Sequence, residues 1–339
     1  MSKKIFIALR RCILIVIIMV LFVGMSAVLE RRTLYGAWNH TLKINGFKNE
    51  IENSMDIIGF GSSHMYCTLN PVHIYKESGM RSYVLATQQQ PIEATYYYMK
   101  EALKTQKPEV LILEAYMFTT MTDVVQEQVA HDAIDSFPAG INKIQMINAL
   151  NTVDGKENYY FNIIKYHSRW KEIEKKDFDF SWKKQTDPMH GMVFLKEVQP
   201  NAVTQVSYDN IEEAPILPTQ EEYLIKMIEL AKENNAELLL LIAPYNGSAD
   251  ALGYYKYLHR IVEEHGAKVV DLNANFDATK INNETDFYDT GHLNAFGAEK
   301  ASSYILEYIK SNYNIEINDV EDEELWAADI AHYDNEISK

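Results

Sequence analysis

An uninterrupted apolar run near its start constrains this chain more than any other feature. Residues 12–29, CILIVIIMVLFVGMSAVL, carry no charge over 18 positions. At 1.5 Å of rise per residue, a helix over this run is about 27 Å long, close to the hydrocarbon thickness of a bilayer. Lys3, Lys4, Arg10 and Arg11 precede the run, and Glu30, Arg31 and Arg32 follow it. Basic residues on the short side predict a cytoplasmic N-terminus with the rest of the chain outside. Arg31 and Arg32 weaken that bias without reversing it. A cleaved secretion signal is the competing reading. Against it, the run exceeds the apolar stretch usual in such signals, and a small-x-small cleavage site is poorly formed around Gly24, Ser26 and Ala27. The expectation is a single-pass cell-membrane anchor with its cytoplasmic tip in residues 1–32, and an extracellular remainder.

Composition then removes several function classes. An apolar fraction of 47% and an aromatic fraction of 12% exclude a disordered chain. A net charge of -16 argues against nucleic acid as a partner, because phosphate neutralisation needs clustered Lys and Arg. Cys12 falls inside the apolar run, so Cys67 has no partner and a disulfide scaffold is ruled out. The histidines are scattered without an HExxH pair, and no CxxC occurs, so neither a metal nor a cofactor is expected.

Along the soluble part, residues 55–60 (MDIIGF) read as a short buried strand running into Gly61-Ser62-Ser63-His64. Asn70, Pro71 and Gly79 carry the N-cap, first-position and post-terminal signals of a helix. Further strands are expected at 82–86, 110–113, 237–243 and 268–272, and helices at 91–104, 219–234, 252–264 and 296–311. Thr219 with Glu222 reads as a capping box opening the second of these helices. Alternating strands and helices predict βαβ units, hence an α/β fold with a parallel sheet covered on both faces. From 119 to 210 the pattern loosens, as expected of an inserted helical subdomain or lid. Residues 33–318 then make one α/β domain, and 319–339, with Glu321 to Glu324 all acidic, read as a solvated acidic tail.

Two segments carry chemistry. Gly61-Ser62-Ser63-His64 follows the first strand, and Asp289-Thr290-Gly291-His292 precedes the last helix. A spacing of three lets the Asp289 carboxylate turn back onto imidazole Nδ1 while Nε2 accepts a proton from a serine. A serine hydroxyl is a weak nucleophile until such a base, held in the right tautomer, activates it. In an open α/β sheet the ligand crevice lies beyond the carboxyl ends of the strands, where this serine would stand.

These two blocks, in this order, resemble those of the SGNH/GDSL hydrolase superfamily. The resemblance implies a three-layer, flavodoxin-like domain with Ser63 as nucleophile, His292 as base and Asp289 as its orienter. Ser62 stands where the family has Asp, and Leu293, Asn294 and Gly297 continue the last block. The middle blocks depart. The turn after the second strand reads Leu85-Ala86-Thr87-Gln88-Gln89-Gln90 where the family offers a glycine amide, and Glu114-Ala115-Tyr116 stands where it offers an asparagine. The expected oxyanion and substrate contacts are therefore Ser62, His64, Thr87, Gln88 and Gln89, through backbone amides or a Gln side chain. The anchor, the G-S-S-H block, the Gln-ending turn and the long insertion resemble the membrane-anchored DltD-like branch.

The function this implies is an extracytoplasmic serine-dependent acyl esterase or acyltransferase. Its substrate would be an O-acyl group, acetyl or D-alanyl, on an envelope polysaccharide or teichoic acid. A membrane-bound O-acyltransferase is a further expected partner. The alternative from another class is a non-catalytic SGNH-like envelope protein that binds glycan or docks onto such an acyltransferase. Weaker candidates are His190 in the insertion, Asn246 after the fourth strand and Glu114 at a strand end. The run Tyr96-Tyr97-Tyr98 reads as helix packing.

Overall fold

The computed structural model describes residues 3–339. A first helix, α1 (Lys3–Leu29), is exposed on all sides over most of its length, with only 6% of its most apolar stretch buried, and it meets the rest of the chain at its C-terminal end. A helix apolar all round has no aqueous face, so it requires a membrane or a partner; an anchor and a secretion signal share this property. A short α2 (His40–Phe47) follows and packs its Ile44 and Phe47 into the domain core.

The domain is then a run of βαβ units. β1 (Ile57–Gly61), α3 (Ser63–Thr68), α4 (Pro71–Ser78), β2 (Ser82–Ala86), α5 (Ile92–Ala102) and β3 (Val110–Glu114) form its first half. The insertion contributes α6 (Glu127–Ile134), α7 (Ile141–Ala149), α8 (Glu157–Tyr160) and α9 (Asn162–Tyr166). The second half is α10 (Pro218–Glu233), β4 (Glu237–Ile242), α11 (Ala249–Glu264), β5 (Lys268–Asp271), α12 (Phe276–Thr279) and α13 (Ala295–Asn312), and α14 (Glu323–Ser338) ends the chain.

The five strands pair in parallel in the order β2-β1-β3-β4-β5. Their residues alternate between two cores, as the period of two requires. Ile58, Phe60, Leu111, Leu113 and Leu240 face α5, α10 and α11, while Ile57, Val110, Ile112, Leu239 and Leu241 face α3, α4 and α13. Each such buried aliphatic side chain contributes roughly 1.5–3 kcal/mol, so the sheet is held from both sides. The chain runs outward from β1 to β2 and then back past β1 to β3. The carboxyl ends of β1 and β3 therefore flank the point where the strand order reverses, and a crevice opens there.

Local signals mostly act as read. The Asn70 side chain caps α4 by accepting from the His73 amide at 3.0 Å, Pro71 is the first helical residue and Gly79 closes the helix at φ +73°. At α10 the start lies elsewhere than expected: Pro218 takes the first position, and Gln220 Oε1 accepts from the Leu217 amide at 3.0 Å in place of a Thr219–Glu222 box. Residues 63–68 form a helix directly after the first strand.

The segment 119–210 does three things. Its helices pack on α5 and on the end of α1, where Arg169 donates to the carbonyls of Leu29 at 2.6 Å and Glu30 at 2.8 Å. Its last part is an extended strap. The His190 carbonyl accepts from the amide of Val84 on the outer edge of β2, and further on the Gln199 amide donates to the Phe287 carbonyl. Gly191, at φ +89°, passes so close to the Val84 carbonyl that no Cβ fits there.

The C-terminal segment departs from a solvated tail. Trp326 and Tyr333 on α14 are 2% and 1% exposed, and Trp326 is sandwiched between the rings of His190 and Tyr75. Asp322 takes the buried Arg81 guanidinium at 2.8 and 2.9 Å.

Candidate active site

β1 ends on Gly61 at φ +150°, and a Cβ there would stand 2.7 Å from Glu114 Cβ. Only glycine fits where the chain turns over β3. Ser62 then caps α3, its Oγ accepting from the His64 amide at 3.3 Å and donating to Glu114 Oε2 at 2.8 Å. This pins the turn from below and leaves Ser63, the first residue of α3, half-buried at the crevice.

The opposite side is built by the loop before α13. Asp289 Oδ1 accepts from the amides of Gly291 at 2.8 Å and His292 at 2.9 Å, which folds the carboxylate back over the ring. His292 Nδ1 consequently lies 2.9 and 3.0 Å from the two Asp289 oxygens, and Nε2 lies 2.8 Å from Ser63 Oγ. Asn294 holds the loop by accepting from the amides of Phe296 and Gly297 at 3.1 Å and donating to the Thr285 carbonyl at 2.8 Å. Burial would raise the Asp289 carboxyl, but donation from Gly291 and His292 outweighs it and holds the group below its usual value. An ionised Asp289 keeps the proton on Nδ1, so Nε2 is the acceptor that faces the serine.

His64 forms the wall beside this chain of groups. Its ring stacks on Tyr116 at 4.1 Å and lies 4.9 Å from the His292 ring, and its buried Nδ1 has no partner. Burial first, then the nearby His292, lowers its pKa to about 3, so it is uncharged at neutral pH. Glu114 is fully buried, and burial raises its carboxyl to about 7 against the hydrogen bonds from Tyr116 and Ser62.

The residues expected from the turn after β2 are less engaged. Thr87 is buried and its hydroxyl donates to Gln90 Oε1 at 3.2 Å, whereas the Gln88 and Gln89 side chains are exposed and make no hydrogen bond to Ser63 or His292. Gln89 takes a left-handed φ of +48°. His190 is far from any cleft role: it is buried with Glu50 and Asp329 against α14. Asn246 is exposed, and Tyr98 is packed, its hydroxyl donating to the Ala133 carbonyl at 2.8 Å.

Three neighbours of the site belong to no sequence motif. Tyr66 lies one turn beyond Ser63 on α3 with its hydroxyl buried; burial raises its pKa, and the neighbouring Ser63 hydroxyl opposes the shift. Trp38, from the segment just after α1, meets the rings of Tyr66 at 6.2 Å and Tyr288 at 6.4 Å. Tyr245 closes edge-on over His64 at 5.3 Å. Only Tyr66 has a local signal, its spacing of three from Ser63.

No family model matches the chain, and no curated protein matches it. Solved structures similar to it include a protein assigned to the G-D-S-L lipolytic family from Desulfitobacterium hafniense, 11% identical, covering 75% of this chain and 99% of that one at a TM-score of 0.39. A catalytic mutant of an acetylxylan esterase from Geobacillus stearothermophilus is 13% identical, with 79% and 99% covered and a TM-score of 0.38. An acetyl xylan esterase from Butyrivibrio proteoclasticus is 7% identical, with 76% and 64% covered and a TM-score of 0.33. These likenesses are remote, and the chemistry of the site rests on its own geometry.

Proposed function

We infer that this chain is a serine-dependent acyl esterase or acyltransferase of the SGNH/GDSL type. The observation that carries the reading is the continuous chain Ser63 Oγ, His292 Nε2, His292 Nδ1, Asp289, with links of 2.8, 2.9 and 3.0 Å. Ser63 Oγ attacks the acyl carbonyl carbon as its proton passes to His292 Nε2. The ester C–O bond then breaks, and Nε2 returns the proton to the departing alcohol. Water or an acceptor hydroxyl, deprotonated by the same nitrogen, releases the acyl group from Ser63.

The developing oxyanion needs donors. Ser63 opens α3, so its amide is among the first-turn groups with no intrahelical acceptor, and the turn after β2 starts from Ala86, the register partner of Gly61. An uncharged His64 supports the relay too, since a second cation 4.9 Å away would oppose protonation of His292. The apolar α1 with its basic flank supports an extracytoplasmic setting at a membrane. The G-S-S-H block, the Gln turn and the insertion support the DltD-like branch, and through it an O-acetyl or O-D-alanyl ester of an envelope polymer.

Turnover of p-nitrophenyl acetate tests the reading. Ser63→Ala and His292→Ala are each expected to lower kcat by roughly 10⁴-fold or more. Equal background rates in all three proteins would sink catalysis and leave a binding protein. Activity lost in Ser62→Ala but kept in Ser63→Ala would move the nucleophile by one residue.

A further inference from the structure

Beside the site lies a cavity of about 180 Å³ that the relay does not use. It begins at Tyr116, whose ring stacks on His64, and at Gln89, on the turn after β2. Both belong to loops at the carboxyl ends of the two strands that flank β1, the strand that leads into Ser63. Ile92, Met117, Val125 and Leu217 make an apolar floor. The rim is polar: Gln89, Glu93, Asp123 and Gln126.

The rim groups are uncommitted. Among the described residues, the side chains of Gln89, Asp123 and Gln126 have no hydrogen-bond partner, and Glu93 is engaged only by its own backbone amide. An apolar floor with unused amide and carboxylate groups around it matches a ring that is apolar on its C–H face and ringed by hydroxyls. A fatty chain would use the floor and leave the rim bare. No lysine or arginine lines the cavity, while two carboxylates do. A phosphate or uronate would be repelled there, whereas hydroxyl groups can donate to both acids. The volume suits a single six-membered ring, as a cavity of about 150 Å³ holds benzene.

We propose that this cavity is a subsite for one uncharged sugar unit of the ester substrate, held by Gln89, Asp123 and Gln126 over the Val125–Leu217 floor. The proposal rests on the esterase reading and makes the substrate a carbohydrate ester whose ring next to the scissile bond bears no phosphate or carboxylate. Gln89, expected at the oxyanion, becomes a specificity residue.

The test uses the full chain in detergent micelles. Saturation-transfer NMR on the Ser63→Ala protein compares methyl β-glucoside with glucose 6-phosphate, the same ring with and without an anionic group. Transfer to the glucoside that well exceeds transfer to the phosphate is expected, and it should vanish when Val125→Trp fills the floor. Because a tryptophan there can disturb folding, the exposed rim variant Gln126→Ala is measured as well. In that variant kcat/KM for 6-O-acetylglucose should fall about tenfold further than for p-nitrophenyl acetate, the effect of one lost hydrogen bond. Equal transfer to both sugars, or an unaltered ratio between the two esters in Gln126→Ala, overturns the subsite while Ser63-dependent turnover leaves the esterase reading intact. Glucoside binding in a protein without Ser63-dependent turnover supports the subsite and refutes the esterase.

Discussion

Asp289 holds the relay together, because its two oxygens receive the ring and two amides of its own loop. Asp289→Asn keeps the shape but offers a donor where Nδ1–H must donate. A fall in kcat on the order of 10³–10⁴ is expected, with kcat against pH as the measurement. Glu114 makes a different prediction. Its folded pKa of about 7 lies above the ordinary 4.5, so the folded state holds a proton that the unfolded state has lost. Its contribution is fully present below pH 4.5 and is lost as pH rises through 7, by an amount on the order of 3 kcal/mol. The urea-unfolding free energy should therefore drop between pH 5 and 8 in the wild type by more than in Glu114→Gln. An equal drop in both would assign the pH dependence to other groups. The serine, the histidine and its carboxylate are legible in the sequence because each is fixed by its own loop. The places of Tyr116 and Glu114 are not, because only the pairing of β3 with β1 brings Glu114 against Gly61 and Tyr116 onto His64.

Among the elements, α4 and α14 differ in how much of each the sequence reveals. Helix α4 carries its signals locally, in Asn70, Pro71 and Gly79. Helix α14 reads as solvent-exposed charge because its partners lie far back in the chain: Arg81 for Asp322, His190 and Tyr75 for Trp326, Asn70 and Glu299 for Tyr333. Its buried face shows in the sequence only as two aromatics seven residues apart. Asp322→Ala leaves the Arg81 guanidinium buried without its ion partner and is expected to cost about 3–5 kcal/mol, read from denaturant unfolding. Burial would lower the pKa of His190, but Asp329 and Glu50 overcome this and raise it to about 9. That stabilisation is complete below pH 6.5 and is lost as pH rises through 9. The urea midpoint should accordingly be lower at pH 10 than at pH 7, and His190→Gln should show a smaller difference.

At the scale of the whole molecule, strand and helix periodicity suffices for the three layers, since every strand is apolar and every crossover long enough for a helix. The strap has no such period: His190 meets β2, Met192 packs among Val72, Ala298 and Tyr333, Val193 meets α3 and Leu195 meets the start of α13, with no repeat. Basic residues before α1 set the expected orientation. A reporter enzyme active only outside the cytoplasm, fused after Lys339, should be active, and an inactive fusion would reverse the topology. The join between helix and domain then acquires a meaning. Arg169 clamps the final carbonyls of α1, and Trp38, nine residues on, already touches Tyr66 and Tyr288. With α1 in a bilayer, such a short, clamped neck has no slack. The serine would ride at one height above the lipid and sweep a thin sheet of space as the helix diffuses laterally. On the esterase reading, substrate supply would then depend on how densely esters crowd that sheet, and bulk concentration would matter little.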